Sequence, residues 1–144
     1  MILFYSVSMY AQSLDTLVDV GGYKIHFNII KGEGTPILLE AGAGNDGSIW
    51  NGIFEKIHKV TGTTVITYDR SGFGKSELNP NLKNESDFGL VNGIKELERG
   101  LSKLGFDNEI ILVSHSYGGL YNLLYASKHP KKVKSIILID ATLS

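Results

Sequence analysis

Ser116 stands where a serine can become a nucleophile. Ile110-Ile-Leu-Val113 is a short continuous apolar run, the pattern of a buried strand. Ser114-His115-Ser116-Tyr117-Gly118-Gly119 follows it, and Leu120, Leu123, Leu124 and Ala126 then predict a helix ending near His129-Pro130. Strand, sharp turn and helix are the context of the G-x-S-x-G elbow, whose strained backbone pushes a serine hydroxyl into the open. The positions two before and two after the serine must be small, or their side chains clash across the turn. Here they are Ser114, which departs from the motif's first glycine, and Gly118. A helix N-terminus at this point would also direct backbone N–H groups at charge developing near Ser116. The competing reading of the same residues is a serine N-cap on an ordinary crossover helix.

The elements that would carry such a turn can be traced along the chain. Leu14–Val20 and Tyr23–Ile30 flank Gly21-Gly22, a two-residue hairpin signal. Ile25, Phe27 and Ile29 alternate with His26 and Asn28, as a half-buried strand requires. Ile37-Leu-Leu39 is a short buried strand, and a Gly-rich loop follows it. Trp50–Val60 reads as a helix with Trp50, Phe54 and Ile57 on one face, and Thr63–Tyr68 as a β-branched strand. Asp69–Ser86 is loop-rich. From Asp87 to Leu104, Leu90, Ile94, Leu97, Leu101 and Leu104 step by helical spacing, and Gly105 ends the run. Val133–Ile139 is a sixth strand. Strands alternating with helices from Ile37 onward predict an α/β fold: a mainly parallel sheet with an antiparallel hairpin at its N-terminal edge. Chemistry in such sheets sits beyond the C-terminal ends of the strands, which selects the loops after Leu39, Tyr68, Val113 and Ile139.

Composition narrows the function classes. The 144 residues fit one domain and carry 14 basic and 15 acidic residues for a net charge of −1. That balance gives no pull toward nucleic acid or an anionic membrane. The absence of cysteine removes disulfides, thiolate chemistry and cysteine zinc sites. Residues 1–13 begin with an uncharged stretch, MILFYSVSMYA, and end on small residues at Ala11-Gln12-Ser13. We read them as a truncated signal peptide, too short for a membrane span, which implies a periplasmic or secreted protein. A buried first strand in a cytoplasmic protein is the alternative.

Three motifs in order resemble the α/β-hydrolase superfamily. Leu38-Leu-Glu-Ala-Gly-Ala-Gly44 with Trp50 is similar to its strand and oxyanion loop. Tyr68-Asp-Arg-Ser-Gly-Phe-Gly-Lys-Ser76 is similar to its Y-D-x-R/x-G-x-G-x-S loop and is the most specific of the three. Ser114–Gly119 is similar to its nucleophile turn. The resemblance runs from about Asp15 and makes residues 14–144 the N-terminal part of such a domain, C-terminally incomplete.

The resemblance implies a serine hydrolase acting on an ester, thioester, amide or related acyl bond through an acyl-enzyme, on a small-molecule substrate, without cofactor or metal. Ser116 would attack the carbonyl carbon. The backbone N–H groups of Tyr117 and of Ala43, two residues after the Ala41 that replaces the usual His, would form the oxyanion hole. Asp69 and Arg70 would tie neighbouring loops together. Asp140 lies where some members carry the triad acid. A serine rather than an aspartate at 116 argues against haloalkane dehalogenase and epoxide hydrolase chemistry. His115 is expected to point away from the nucleophile, and His26, His58 and His129 are expected to be structural. The family order is Ser, then Asp or Glu, then His, and a base after Ser116 is missing. A truncated, catalytically inactive hydrolase-fold protein, poorly soluble through an exposed sheet edge, is therefore the second reading.

Two other patterns compete. Gly42-Ala-Gly-Asn-Asp-Gly47 spells G-x-G-x-x-G after a strand, with Asp69 about 20 residues on, the fingerprint of a dinucleotide-binding oxidoreductase. Asn45-Asp46 favours a turn over a helix start there, and the fingerprint leaves Ser114–Gly119 unexplained. Gly74-Lys75-Ser76 resembles part of a phosphate-binding loop, but Asp69 stands where that loop's first glycine belongs.

Overall fold

A computed structural model describes residues 13–83 and 89–141. Strands β1 (Ser13–Asp19), β2 (Lys24–Ile30), β3 (Ile37–Glu40), β4 (Val65–Tyr68), β5 (Ile110–His115) and β6 (Val133–Ile139) form one sheet in the order β1-β2-β4-β3-β5-β6. β1/β2 and β2/β4 pair antiparallel, and β4/β3, β3/β5 and β5/β6 pair parallel. The expected parallel sheet with an N-terminal antiparallel hairpin is thus present. Of residues 1–13, only Ser13 is among those described, and it begins β1.

Local chemistry sets the element ends. Gly21 and Gly22 turn the hairpin at φ +130° and +94°, conformations that side chains resist. Asp19 Oδ1 accepts both of their amides. Helix α2 (Leu90–Lys103) stops where Gly105 turns left-handed at φ +82° and the Phe106 amide reaches back to the Leu101 carbonyl at 2.8 Å. The start of the sequence-predicted helix, at Asp87, lies outside the described residues. Helix α3 (Gly118–Lys128) ends beside His129 as expected.

The expected Trp50–Val60 helix is shorter than the pattern suggested. Asp46 Oδ1 accepts the Ser48 amide at 2.8 Å and opens a 3₁₀ turn over Gly47–Trp50, while α1 itself covers Phe54–Thr61. Gly52 separates the two, and glycine is a poor helix former. Trp50 and Phe54 are nevertheless buried together, so the apolar face runs on across the break.

The sheet separates two apolar layers because successive side chains point to opposite faces. On one face Ile25, Phe27, Leu38, Ile66 and Leu112 pack against Ile94, Leu97 and Leu101 of α2 and Tyr121 and Tyr125 of α3. On the other, Leu39, Val65 and Val113 meet Trp50 and Phe54. β6 pairs with β5 alone among the described residues and leaves Ile137, Leu138 and Ile139 substantially exposed. No described helix is long and apolar enough to cross a membrane.

Candidate active site

Ser116 occupies the turn between β5 and α3 with φ +52°, a left-handed conformation that non-glycine residues enter only when their surroundings force them. Its amide donates to the Ile139 carbonyl at 3.0 Å and its carbonyl accepts the Gly119 amide at 2.9 Å, which fixes the turn between β6 and the first turn of α3. The flanking positions are as tight as the elbow demands. Ser114 is fully buried, and Gly118 has no room for a side chain against the end of β3.

The loop after β3 crosses this turn. A methyl group on Gly42 would come within 3.5 Å of Ser116 Cβ and 3.1 Å of His115 Nδ1. Ala43 and Tyr117, the sequence-predicted oxyanion residues, are both exposed and line one cavity of about 240 Å³, with Arg70, Phe73, Glu96 and Tyr121 among its other walls. Neither backbone amide is taken up by an acceptor among the described residues. The structure thus gathers Ser116, Ala43 and Tyr117 at one end of the sheet, beyond the C-terminal ends of β3 and β5.

The second motif braces that end. Asp69 is buried, and its carboxylate accepts the amides of Gly47 at 2.8 Å and Lys75 at 2.9 Å and faces His26 Nδ1 at 2.8 Å. It therefore ties the loop before α1 to the loop after β4. Gly74, at φ +52°, passes so close that a Cβ there would lie 2.3 Å from Asp69 Oδ2. These contacts also answer the dinucleotide reading: Gly47 opens a 3₁₀ turn instead of a long helix, and the acid meant for a ribose is consumed by the protein's own backbone. Lys75, read as part of a phosphate loop, pairs with Asp15 at 2.6 Å.

Arg70 does the same for the loop after β3. Its Nη1 donates to Glu40 Oε1 and to the Ala41 carbonyl, each at 2.9 Å, and its Nη2 donates to the carbonyls of Gly42 and Asn45. The guanidinium lies 4.9 Å from the Tyr121 ring centroid. Glu40 is fully buried, and its other oxygen accepts the Tyr68 hydroxyl. Burial pushes the Glu40 carboxyl up to about 7, against the opposing pull of Arg70 and Tyr68. Sequence reasoning passed over Glu40. Its signal was an acid closing a continuous apolar strand, where a charge is tolerated only with a partner.

The histidines fall in several environments. His26 lies between Asp69 and Asp15, His58 Nδ1 contacts the Thr63 carbonyl at 2.8 Å, and His129 Nε2 contacts Glu98 at 2.7 Å. His115 Nδ1 is buried without a hydrogen-bond partner and rests on Gly42. Asp140 is exposed just past β6 at φ +46°, one residue from the carbonyl that anchors Ser116. Among the described residues no group of three or more His, Cys, Asp or Glu side chains is placed to hold a metal ion.

The chain is similar to proteins of known sequence and structure. A proline iminopeptidase from Lactobacillus delbrueckii subsp. lactis is 31% identical over 131 residues, which cover 88% of this chain and 44% of that protein. The uncharacterized protein YqjL of Bacillus subtilis is 32% identical over 131 residues, 90% of this chain and 49% of YqjL. The chain therefore spans less than half the length of these relatives. Among solved structures, an epoxide hydrolase variant from Vigna radiata superposes with a TM-score of 0.76 at 23% identity, over 88% of this chain and 38% of that one. A haloalkane dehalogenase from Agrobacterium tumefaciens gives 0.74 at 23% identity, over 90% and 41%. The family model described as alpha/beta hydrolase fold matches residues 35–144, and the chain belongs to that family.

Proposed function

We propose that this chain carries the nucleophile and oxyanion hole of a serine hydrolase that cleaves an acyl bond: an ester, thioester or amide of a small molecule. The observation that carries the reading is Ser116 held at φ +52° between β5 and α3. Backbone strain of this kind, of order 1–3 kcal/mol, persists only where the surroundings over-determine it, and it clusters at reactive sites. In the proposed reaction Ser116 Oγ attacks the acyl carbon as its proton passes to a base. The carbonyl oxygen becomes an oxyanion facing the Ala43 and Tyr117 amides. Collapse expels the alcohol, thiol or amine and leaves an acyl-serine, which water hydrolyses to free acid and serine. A serine at this position supports acyl chemistry over the carboxylate-nucleophile chemistry expected of dehalogenases and epoxide hydrolases. The amide in the scope follows the proline iminopeptidase relative.

The second reading is an inactive hydrolase-fold protein. His26, His58 and His129 are each engaged away from Ser116, so among the described residues no histidine of another element serves it as base. A serine hydrolase deprived of a triad member keeps only the residual effect of hole and binding, roughly 10³–10⁴-fold over water. The deciding experiment is turnover of an activated ester together with labelling by a fluorophosphonate, read by intact mass. Hydrolysis above the buffer rate and a phosphonyl adduct, both lost in Ser116→Ala, support the hydrolase. A chain as slow and as unlabelled as Ser116→Ala establishes the inactive reading.

A further inference from the structure

The carbonyls of the loop that carries Ala43 are gathered by one side chain. The β3/β5 ladder ends at the Glu40–Ser114 pair, so from Ala41 onward the backbone has no strand partner. Within the loop itself, among the described residues, the Asn45 amide to the Gly42 carbonyl at 3.4 Å and the Asn45 side chain to the Ala43 carbonyl at 3.1 Å connect its residues. Arg70, 8% exposed, spreads its guanidinium across the carbonyls of Ala41, Gly42 and Asn45. The Gly42 contact has a further consequence. The Gly42 carbonyl and the Ala43 N–H belong to one planar trans peptide and point in opposite directions. A donor that grips that carbonyl therefore fixes the direction of the Ala43 N–H, which points away from the guanidinium, at the edge of the cavity that Ala43 shares with Tyr117.

We propose that Arg70 is the positioning residue of the oxyanion hole, with Glu40 as its buried counter-charge, so that the Glu40–Arg70 pair sets the orientation of the Ala43 amide. This rests on the reading of Ala43 as an oxyanion donor. Lysine cannot substitute, because only a planar fork reaches several carbonyls and a carboxylate at once. Glu40 Oε1, 2.9 Å from Nη1, gives the fork its carboxylate and fixes its plane.

The groups facing Glu40 are Arg70 and Tyr68 from β4 and the loop after it, and Tyr121 from α3. When Glu40 takes up a proton, the Tyr68 hydroxyl, which can donate or accept, reverses its hydrogen bond, and Arg70 loses its charge partner. The loop is held best when Glu40 is ionised, above about 7.

The test is ¹⁵N relaxation and pH titration of the whole chain, in the wild type and in Arg70→Lys, Arg70→Met and Glu40→Gln. The wild-type amides of Gly42 to Gly44 should be as rigid as the strands, with order parameters of about 0.85, and should drop below about 0.6 in Arg70→Met while the strands are unchanged. Arg70→Lys should loosen them too and is the variant read if Arg70→Met fails to fold. Their shifts should titrate with a midpoint near 7 in the wild type and be flat in Glu40→Gln. Order parameters unchanged in a folded Arg70 variant would overturn the proposal, as would the same titration persisting in Glu40→Gln. Fluorophosphonate labelling of the same samples separates the two readings. If the wild type is not labelled, the hydrolase reading falls while the relaxation data still decide the role of Arg70. If it is labelled, the Arg70 variants should lose rate in the trapping step and keep their affinity for the probe.

Discussion

A methyl group on Gly118 would sit 2.6 Å from the carbonyl oxygen of Ala41 and 2.9 Å from Cγ of Glu40. The first turn of α3 is thus pressed against the end of β3, and the turn that carries Ser116 and the loop after β3 are in contact through backbone. Neither neighbour can yield cheaply, since Ala41 O is held by Arg70 and Glu40 is fully buried. Gly118→Ala should destabilise the fold by about 1–3 kcal/mol, the usual cost of overpacking. Urea unfolding measures this. A Gly118→Ala variant as stable as the wild type would mean that β3 and α3 are farther apart than described.

Ser116 should be a site where stability and reactivity oppose each other. Its φ of +52° costs a residue with a Cβ about 1–2 kcal/mol, which glycine does not incur. Glycine also makes the unfolded chain more flexible, which offsets about 0.4–1 kcal/mol of the gain. Ser116→Gly should therefore be more stable than the wild type by up to about 1 kcal/mol, whereas Ser116→Ala, which keeps its Cβ, should not gain. Thermal unfolding of the three proteins side by side checks the order, and a Ser116→Gly variant that melts below the wild type would refute the strain.

These two positions also show where reading the sequence succeeds and where it stops. The elbow is local: an apolar run, a small–x–Ser–x–small turn and an apolar helix lie in sequence, so Ser116 and the requirement for a small residue at 118 are legible without coordinates. The strands and α2 were legible for the same reason, through periodicity and a terminal glycine. The start of α1 was not, because Trp50, Phe54 and Ile57 keep helical spacing across a 3₁₀ turn and the break at Gly52 does not interrupt their shared face. The brace on the loop after β3 was legible only in part. Arg70 was marked as a tie between loops, but its partner Glu40 lies 30 residues away and the carbonyls it grips have no side-chain signature. The expectation that His115 turns away from the nucleophile said nothing of where its ring goes, and it rests on Gly42.

Gly100 offers a contest between two known effects. In an α-helix alanine is favoured over glycine by about 1 kcal/mol. Here a Cβ would lie 2.4 Å from the Phe27 ring, and Phe27 is fully buried and stacked on Tyr68 with centroids 5.7 Å apart. Overpacking of about 1–3 kcal/mol should win, so Gly100→Ala should lower stability by up to about 2 kcal/mol once the propensity gain is subtracted. Val91→Ala on the same helix, at a position half exposed, is the control and should change little. Denaturant midpoints of both variants decide it: a stabilised Gly100→Ala would show that α2 can lift off β2 at no cost.

Glu40 should give the protein a pH dependence of a particular sign. Its carboxyl is raised in the folded state from 4.5 to about 7, chiefly because burial penalises the charged form. Between those values the folded chain holds a proton that the unfolded chain has released. The contribution of Glu40 is therefore complete below about 4.5, declines as pH rises toward 7, and is lost above it. The full span corresponds to about 3 kcal/mol. Glu40→Gln mimics the protonated acid and removes the titration, so subtracting its stability from that of the wild type isolates this one group. Urea unfolding of both proteins at pH about 4.5, 6 and 8 should show the wild type losing stability relative to Glu40→Gln across that range. A difference that moves the other way would mean that Arg70 and Tyr68 together outweigh burial, and that Glu40 is held ionised throughout.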